Sequence, residues 1–209
     1  MDEIIPTFSI VGRGLCFSIS LLGGSFILGI SLGIILSIIR HSRFGFWVDK
    51  LVNVIRGTPL VLQLSLVYFS LPSLGIHLSV MLSGIIAFGI NSSAYIAEIL
   101  RAGIESLPKG QFEAAETLGI PKYYAWKDII LPQVVRNVFP ALINEIIAVL
   151  KETSIISIIG GADIMRHSQI VAAEKFDYFM PLCVAGVYYY LLVSLIAFIG
   201  KKIDVKISC

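Results

Sequence analysis

The chain is written in long apolar blocks separated by charged stretches. Crossing about 30 Å of hydrocarbon takes roughly 20 apolar residues in a helix. No charged residue falls between Gly14 and Ile39, which predicts a first span over 14–39. The stretch from Gly57 to Ala97 also lacks formal charge, but it is too long for one helix and is punctuated by Leu71-Pro72-Ser73-Leu74-Gly75. It divides into a second span over about 52–71 and a third over about 78–100. Arg56 and Pro59 sit in the first turns of the second. Proline is tolerated at a helix start, so the apolar part is expected from about Thr58. Charges recur from Arg101 to Asn137, and this segment is predicted to be water-exposed, too long for a plain connector. A fourth span over about 138–159 carries Glu145, Lys151 and Glu152, residues 160–177 are polar, and a clean fifth span covers 180–200. The expectation is an all-α membrane protein of about five transmembrane helices, forming one domain over 1–209.

Composition supports lipid as the solvent. The chain is 56% hydrophobic and 14% charged, against about 25% charged in ordinary soluble domains. A net charge of +2 argues for no nucleic-acid partner. Basic residues concentrate in alternate loops: Arg40, Arg43, Lys50 and Arg56 in the first, Arg101, Lys109, Lys122, Lys127 and Arg136 in the long one, and Lys201, Lys202 and Lys206 in the tail. Cytoplasmic loops are enriched in Lys and Arg. This places the N-terminus outside, and the long loop and C-terminus in the cytoplasm. The start, Met-Asp-Glu-Ile-Ile-Pro, is acidic where a cleavable leader is basic, so no cleavage is expected. Cys16, Cys183 and Cys209 stand apart and are expected as small packing residues. Gly29 and Gly33, with Gly12, Gly14, Gly23 and Gly24, predict close helix packing.

No GxxxxGK[ST] phosphate loop is present, and no nucleophile–base pair stands out. His41, His77 and His167 are isolated, each near an expected interface. If the chain drives uphill transport, another chain must bind ATP and magnesium, and this one binds no cofactor and no metal.

The long loop holds the most specific pattern. Gln111 to Leu118 are mostly helix formers, Gly119 is placed to end that helix, and Pro121 blocks a restart. A second short helix is expected over 122–130, ending near Leu131-Pro132. Small Ala114 and Ala115 would let another surface approach closely. Glu113 and Glu116 argue against a helix resting on anionic lipid and favour a protein partner. Glu113-Ala114-Ala115, three residues, Gly119, nine residues, then Ile129-Ile130-Leu131-Pro132 resembles the EAA loop of ABC-importer permeases. Arg56 to Gln63, Ala94 to Ile104, Pro108 to Gln111 and Lys151 to Ile155 resemble the polar amino-acid branch of that family. Lys151-Glu152 departs from the usual Lys-Asp but keeps the charge.

The resemblance implies a type I ABC-importer permease fold in a bacterial inner membrane. In that family two permease copies, or a copy and a paralogue, pair around a central path. ATPase subunits dock on the loop around residues 101–137, through Glu113, Ala114, Ala115, Gly119, Ile129, Leu131 and Pro132. An extracytoplasmic binding protein delivers a polar amino acid such as glutamine. Translocation is by alternating access, without bond chemistry in the permease.

Polar residues inside membrane spans usually face protein or a water-filled path. Asn91, Tyr95 and Glu98 share one helix face, and Asn144 and Lys151 another, with Glu145 beside them. These six are candidates for a substrate path, since a zwitterion offers an ammonium to a carboxylate and a carboxylate to a lysine or amide. Glu98 equally suits an interfacial pair with Arg101, and Asn144 suits helix–helix hydrogen bonding. A stand-alone secondary transporter or channel would also explain buried charge, but not the acidic Ala-Ala-Gly loop.

Overall fold

The computed structural model describes residues 4–208. Met1 to Glu3 and Cys209, with the expectations for the leader and the last cysteine, lie outside the described residues. The chain opens with α1 (Ile4–Gly12) and α2 (Leu15–Arg40), which share one long apolar stretch. An elbow follows: α3 (Gly45–Arg56) meets the next segment at 97°. That segment starts as α4 (Leu60–Ser65) after Pro59, widens into a π turn (Leu66–Ser70), and tightens into a 3-10 turn (Leu71–Leu74). The expected second span therefore breaks at Gly57-Thr58-Pro59, because Pro59 cannot continue the helix of α3.

α5 (Val80–Glu105) is five residues longer at its charged end than expected, since Glu98, Arg101 and Glu105 pair with neighbours and with one another there. It packs along α2 through small residues. A side chain on Gly29 would press on Ser92, and one on Gly33 on Ile96. The partner numbers rise together, so α2 and α5 run parallel. Gly23 faces nothing within 4 Å and does not share this packing role. Cys16 and Cys183 are exposed rather than packed, so the expectation for them fails.

The docking segment contracts to residues 106–130. After α6 (Lys109–Thr117) and a single turn, α7 (Lys122–Tyr124), the backbone passes through a π turn (Ala125–Ile130) straight into α8 (Leu131–Glu152). The expected stop at Leu131-Pro132 is absent because Pro132 lies in the first turn of α8, where a missing N–H leaves no bond broken. α8 also begins seven residues before the expected fourth span. Val134 and Val138 are buried against α5, so the polar neighbours Arg136 and Asn137 ride on an anchored helix. It gives way at Glu152 to a 3-10 segment (Thr153–Ile159).

The polar stretch 160–177 is not a plain loop: it forms α9 (Ile164–Lys175), capped by Asp163. Asp163 is buried. Its carboxylate accepts from the Arg166 and Met165 amides at 2.8 and 3.1 Å and from the Tyr189 hydroxyl at 3.1 Å. The last helix, α10 (Phe179–Ser208), runs antiparallel to α8, with Gly200 against Ile143. Among the described residues, three helices are long and apolar enough to cross a membrane, and a fourth if the bent pair Gly45–Arg56 and Leu60–Leu74 counts as one. α8, with Arg136, Glu145, Lys151 and Glu152, is not among them.

Candidate functional site

The docking loop is a small built object. α6 ends on Gly119, whose φ of 68° is left-handed. Two backbone bonds close the end: the Gly119 amide donates to the Glu116 carbonyl, and the Ile120 amide donates to the Ala115 carbonyl, both at 3.0 Å. This is the glycine-terminated closure that satisfies the last carbonyls of a helix. The paired bonds turn the chain sharply and leave Leu118 at the tip, 76% exposed.

Beneath the tip, Phe112 and Trp126 meet edge to face at 6.1 Å. Together with Ala115, Glu116, Ile120, Lys122, Ala125 and Ile130 they line a cavity of about 300 Å³. Ile130, Val134, Val138 and Leu107 form the buried floor, with Ile129 and Phe112 packed on it. Gln111 and Gln133 exchange side-chain amide bonds at 3.0 and 2.6 Å, tying α6 to α8. The loop is thus locked to two long helices.

The seven residues read from the sequence divide into two sets. Glu113, Ala114, Gly119, Leu131 and Pro132 face outward, while Ala115 is buried and Ile129 half-buried. Ala115 therefore serves the loop's own packing, which corrects the expectation that both alanines admit a partner. Only Ala114 is open to one.

The six path residues do not form one surface. Midway along α5, Asn91 donates to the Gln63 side-chain carbonyl of α4 at 3.2 Å. Next to it, the Ser92 hydroxyl donates to the Glu145 carboxylate of α8 at 2.6 Å. Asn91, Ser92 and Glu145 are buried. A polar layer thus crosses three helices at mid-span, where an unpartnered group would be costly.

Tyr95 lies one turn further and is exposed, with the Arg56 guanidinium 5.3 Å from its ring centre. Glu98 belongs to a separate ionic cluster at the α5 end. It accepts from Arg40 at 3.2 Å and from Arg101 Nε at 2.8 Å, and Arg56 lies 3.9 Å away. Arg40 also pairs with Asp49, and Arg101 with Glu105. The expected pair of Glu98 with Arg101 is present, with two more arginines, Arg40 and Arg56, beside it.

Asn144 is exposed in a groove against α10, beside Pro140, Ile147, Ala197 and Gly200. Lys151 is exposed with Glu152, Ser154 and Ile155 around a cavity of about 320 Å³. The shared face of Asn144 and Lys151 thus points away from Glu145. Sequence reasoning missed Gln63, Arg40 and Ser92 as partners. Gln63 closes the Arg56 to Gln63 segment, and that was its signal.

A family model for the binding-protein-dependent transport system inner membrane component matches residues 29–207, which include the docking loop. The chain belongs to this family. The putative glutamine transport system permease protein of Rickettsia conorii is 47% identical over 184 residues, 86% of this chain and 84% of that protein. The arginine transport system permease protein of Bacillus subtilis is 42% identical over 208 residues, 98% of this chain and 95% of its own length. A crystal structure of an amino acid ABC transporter with histidines superposes with a TM-score of 0.92 at 32% identity, covering 98% of this chain and 97% of that one. The resemblance drawn from Glu113 to Pro132 is therefore borne out. The chain is a non-catalytic membrane component of an ABC importer, and ATP hydrolysis belongs to a separate subunit.

Proposed function

We propose that this chain is the permease of an ATP-driven importer for polar amino acids, with glutamine or a basic amino acid as substrate. The observation that carries the reading is the docking loop, a rigid tip closed on left-handed Gly119 with Leu118 exposed. A stand-alone carrier has no use for such a tip. The substrate class is supported by the relatives named above as glutamine and arginine transport permeases.

In this reading the chain is one domain over 1–209 in a bacterial inner membrane. Five elements cross: α2, the α4 segment, α5, α8 and α10. The N-terminus is outside and the basic tail inside. α2 and α5 run parallel and α8 runs opposite to α10, as alternating spans require. A second permease copy or a paralogue completes the path, ATPase subunits holding ATP and magnesium dock on Glu113 to Gly119, and a binding protein delivers substrate from outside. ATPase closure moves the docking loop. Gln111–Gln133 and the floor at Ile130, Val134 and Val138 pass that motion to α8, which carries Glu145 in the mid-span polar layer. The path then opens alternately to each side.

Within that layer our candidate to meet a substrate ammonium is Glu145, supported by its buried carboxylate bonded to Ser92. Glu145→Gln keeps an acceptor for Ser92 but removes the charge. Charge-assisted hydrogen bonds are worth about 1.5–3 kcal/mol, so uptake at limiting substrate is expected to fall about tenfold or more. Ser92→Ala should cost less. Full uptake by Glu145→Gln would remove Glu145 from the path. The function itself is tested by reconstituting the permease with its ATPase and binding protein in vesicles whose ion gradients are collapsed. Uptake of labelled glutamine, arginine or histidine that needs ATP supports the reading. Uptake that needs an ion gradient and ignores ATP overturns it.

A further inference from the structure

The elbow helix α3 carries three stripes. Val48, Val52 and Ile55 pack on Ala94 and Ala97 of α5. Asp49, Asn53 and Arg56 lie on the side of the ionic cluster around Arg40 and Glu98. Trp47, Leu51 and Val54 form a third stripe, apolar and exposed, with Trp47 at 66% and Val54 at 62%. Phe46 stands exposed beside it.

A helix apolar on two sides needs a second apolar environment. The 97° bend from the α4 segment lays α3 across the direction of the spans, at the end where α5 leads into the docking loop. Aromatic and cationic residues on such a helix are the composition of a membrane interface.

The cations sharpen this. Arg40, Arg56 and Arg101 are all paired with carboxylates. Arg43 and Lys50, among the described residues, are not. Instead the Arg43 guanidinium sits 4.9 Å from the Phe44 ring centre, and the Lys50 ammonium sits 4.6 and 5.8 Å from those of Phe46 and Trp47. Both charges stand over exposed rings, and neither forms an ion pair with a carboxylate among the described residues. Val54 then continues the apolar stripe into the inner elbow. There Val54, Ile55, Thr58, Leu62, Leu66 and Ile90 help to line a cavity of about 320 Å³.

We propose that α3 and this elbow cavity bind an anionic phospholipid of the leaflet on the docking-loop side. Arg43 and Lys50 take the phosphate headgroup. The Trp47, Leu51 and Val54 stripe and the cavity take acyl chain. The proposal rests on the permease reading only for calling that leaflet cytoplasmic.

The chain has two tryptophans, so Trp126→Phe leaves Trp47 as the sole reporter and keeps a ring against Phe112. The full chain is placed in phosphatidylcholine vesicles containing equal amounts of either brominated phosphatidylglycerol or brominated phosphatidylcholine. Phosphatidylglycerol is expected to quench Trp47 preferentially, by about fivefold in relative affinity for each cation. Arg43→Gln with Lys50→Gln should abolish the preference while both lipids still quench. Equal quenching by the two lipids with the cations in place overturns the proposal. Absence of quenching by either also overturns it, since protein such as a second copy then covers Trp47.

Native mass spectrometry of the unsubstituted chain gives a second reading. Retained phosphatidylglycerol lost on replacing Arg43 and Lys50 supports the site, and equal retention with and without them contradicts it. Neither assay uses ATP, a transported amino acid or a partner subunit. A failed uptake experiment therefore leaves the lipid result intact, and the reverse also holds.

Discussion

Gly119→Arg is expected to abolish ATP-driven uptake while the protein still inserts and folds. Gly119 sits at φ 68°, where a residue with a Cβ loses about 1–2 kcal/mol. The strain falls on the two bonds from Gly119 and Ile120 to Glu116 and Ala115. When those bonds loosen, Leu118 no longer holds its place at the tip. Arginine also adds a long cation to the face proposed to meet the ATPase. A disrupted anchor at an interface centre costs about 2 kcal/mol or more, equivalent to about a thirtyfold loss of docking affinity. The fold itself is spared, because a side chain on Gly119 meets nothing within 4 Å. Gly110→Ala is the matched control: that position is equally open and lacks the left-handed backbone, so uptake should be unchanged. The check is uptake and ATPase co-purification for both variants. Normal values for Gly119→Arg would mean that the loop does not dock.

Gly14→Ala is expected to be strongly destabilising. A Cβ there would lie 2.3 Å from the Asp163 carbonyl carbon and the Ile164 nitrogen. Both are backbone atoms, so no side chain can turn aside. They also belong to the cap of α9, where the Asp163 carboxylate holds the Arg166 and Met165 amides and the Tyr189 hydroxyl. Displacing this backbone disturbs α2, α9 and α10 together. Overpacking costs typically about 1–3 kcal/mol where side chains can relax, and a backbone clash belongs at or above the upper end. A clear fall in thermal unfolding midpoint in detergent, with lower yield, is expected. At Gly23, which faces open space, alanine should leave the midpoint unchanged. Equal midpoints for the two variants would contradict the packing of α2 on the α9 cap.

How much of this was legible depended on the range of the interactions. The docking loop was legible because its signals are local: helix formers, then a glycine for the left-handed turn, then a proline. The buried state of Ala115 was not, since it depends on Trp126 and Ile130 folding back beneath α6. Spacing put Asn91, Tyr95 and Glu98 on one face. It could not show that Gln63, Arg56 and Arg40 from other helices meet them there.

The limits of α8 were misread because apolar length was the criterion. Val134 and Val138 secure its first two turns by packing on α5, a stabilisation that hydropathy does not register. The elbow was not legible. Pro59 reads from the sequence as tolerated in the first turns of a continuous second span, and the 97° turn accompanies the packing of α3 on Ala94 and Ala97. Asn144 and Glu145, adjacent in sequence, point to different neighbours, one toward α10 and one toward α5. Candidates chosen by residue type alone could not separate them.

The central claim is that a separate ATPase engages the tip formed by Glu113 to Gly119. Leu118 stands 76% exposed at that tip, and it reports the contact directly when replaced by a photo-crosslinking amino acid in membranes that also contain the ATPase subunit. The account predicts an adduct between the permease and the ATPase that changes in yield when ATP is added, and its loss in the Gly119→Arg background. An adduct to lipid alone, or none in the presence of a co-purifying ATPase, would contradict it.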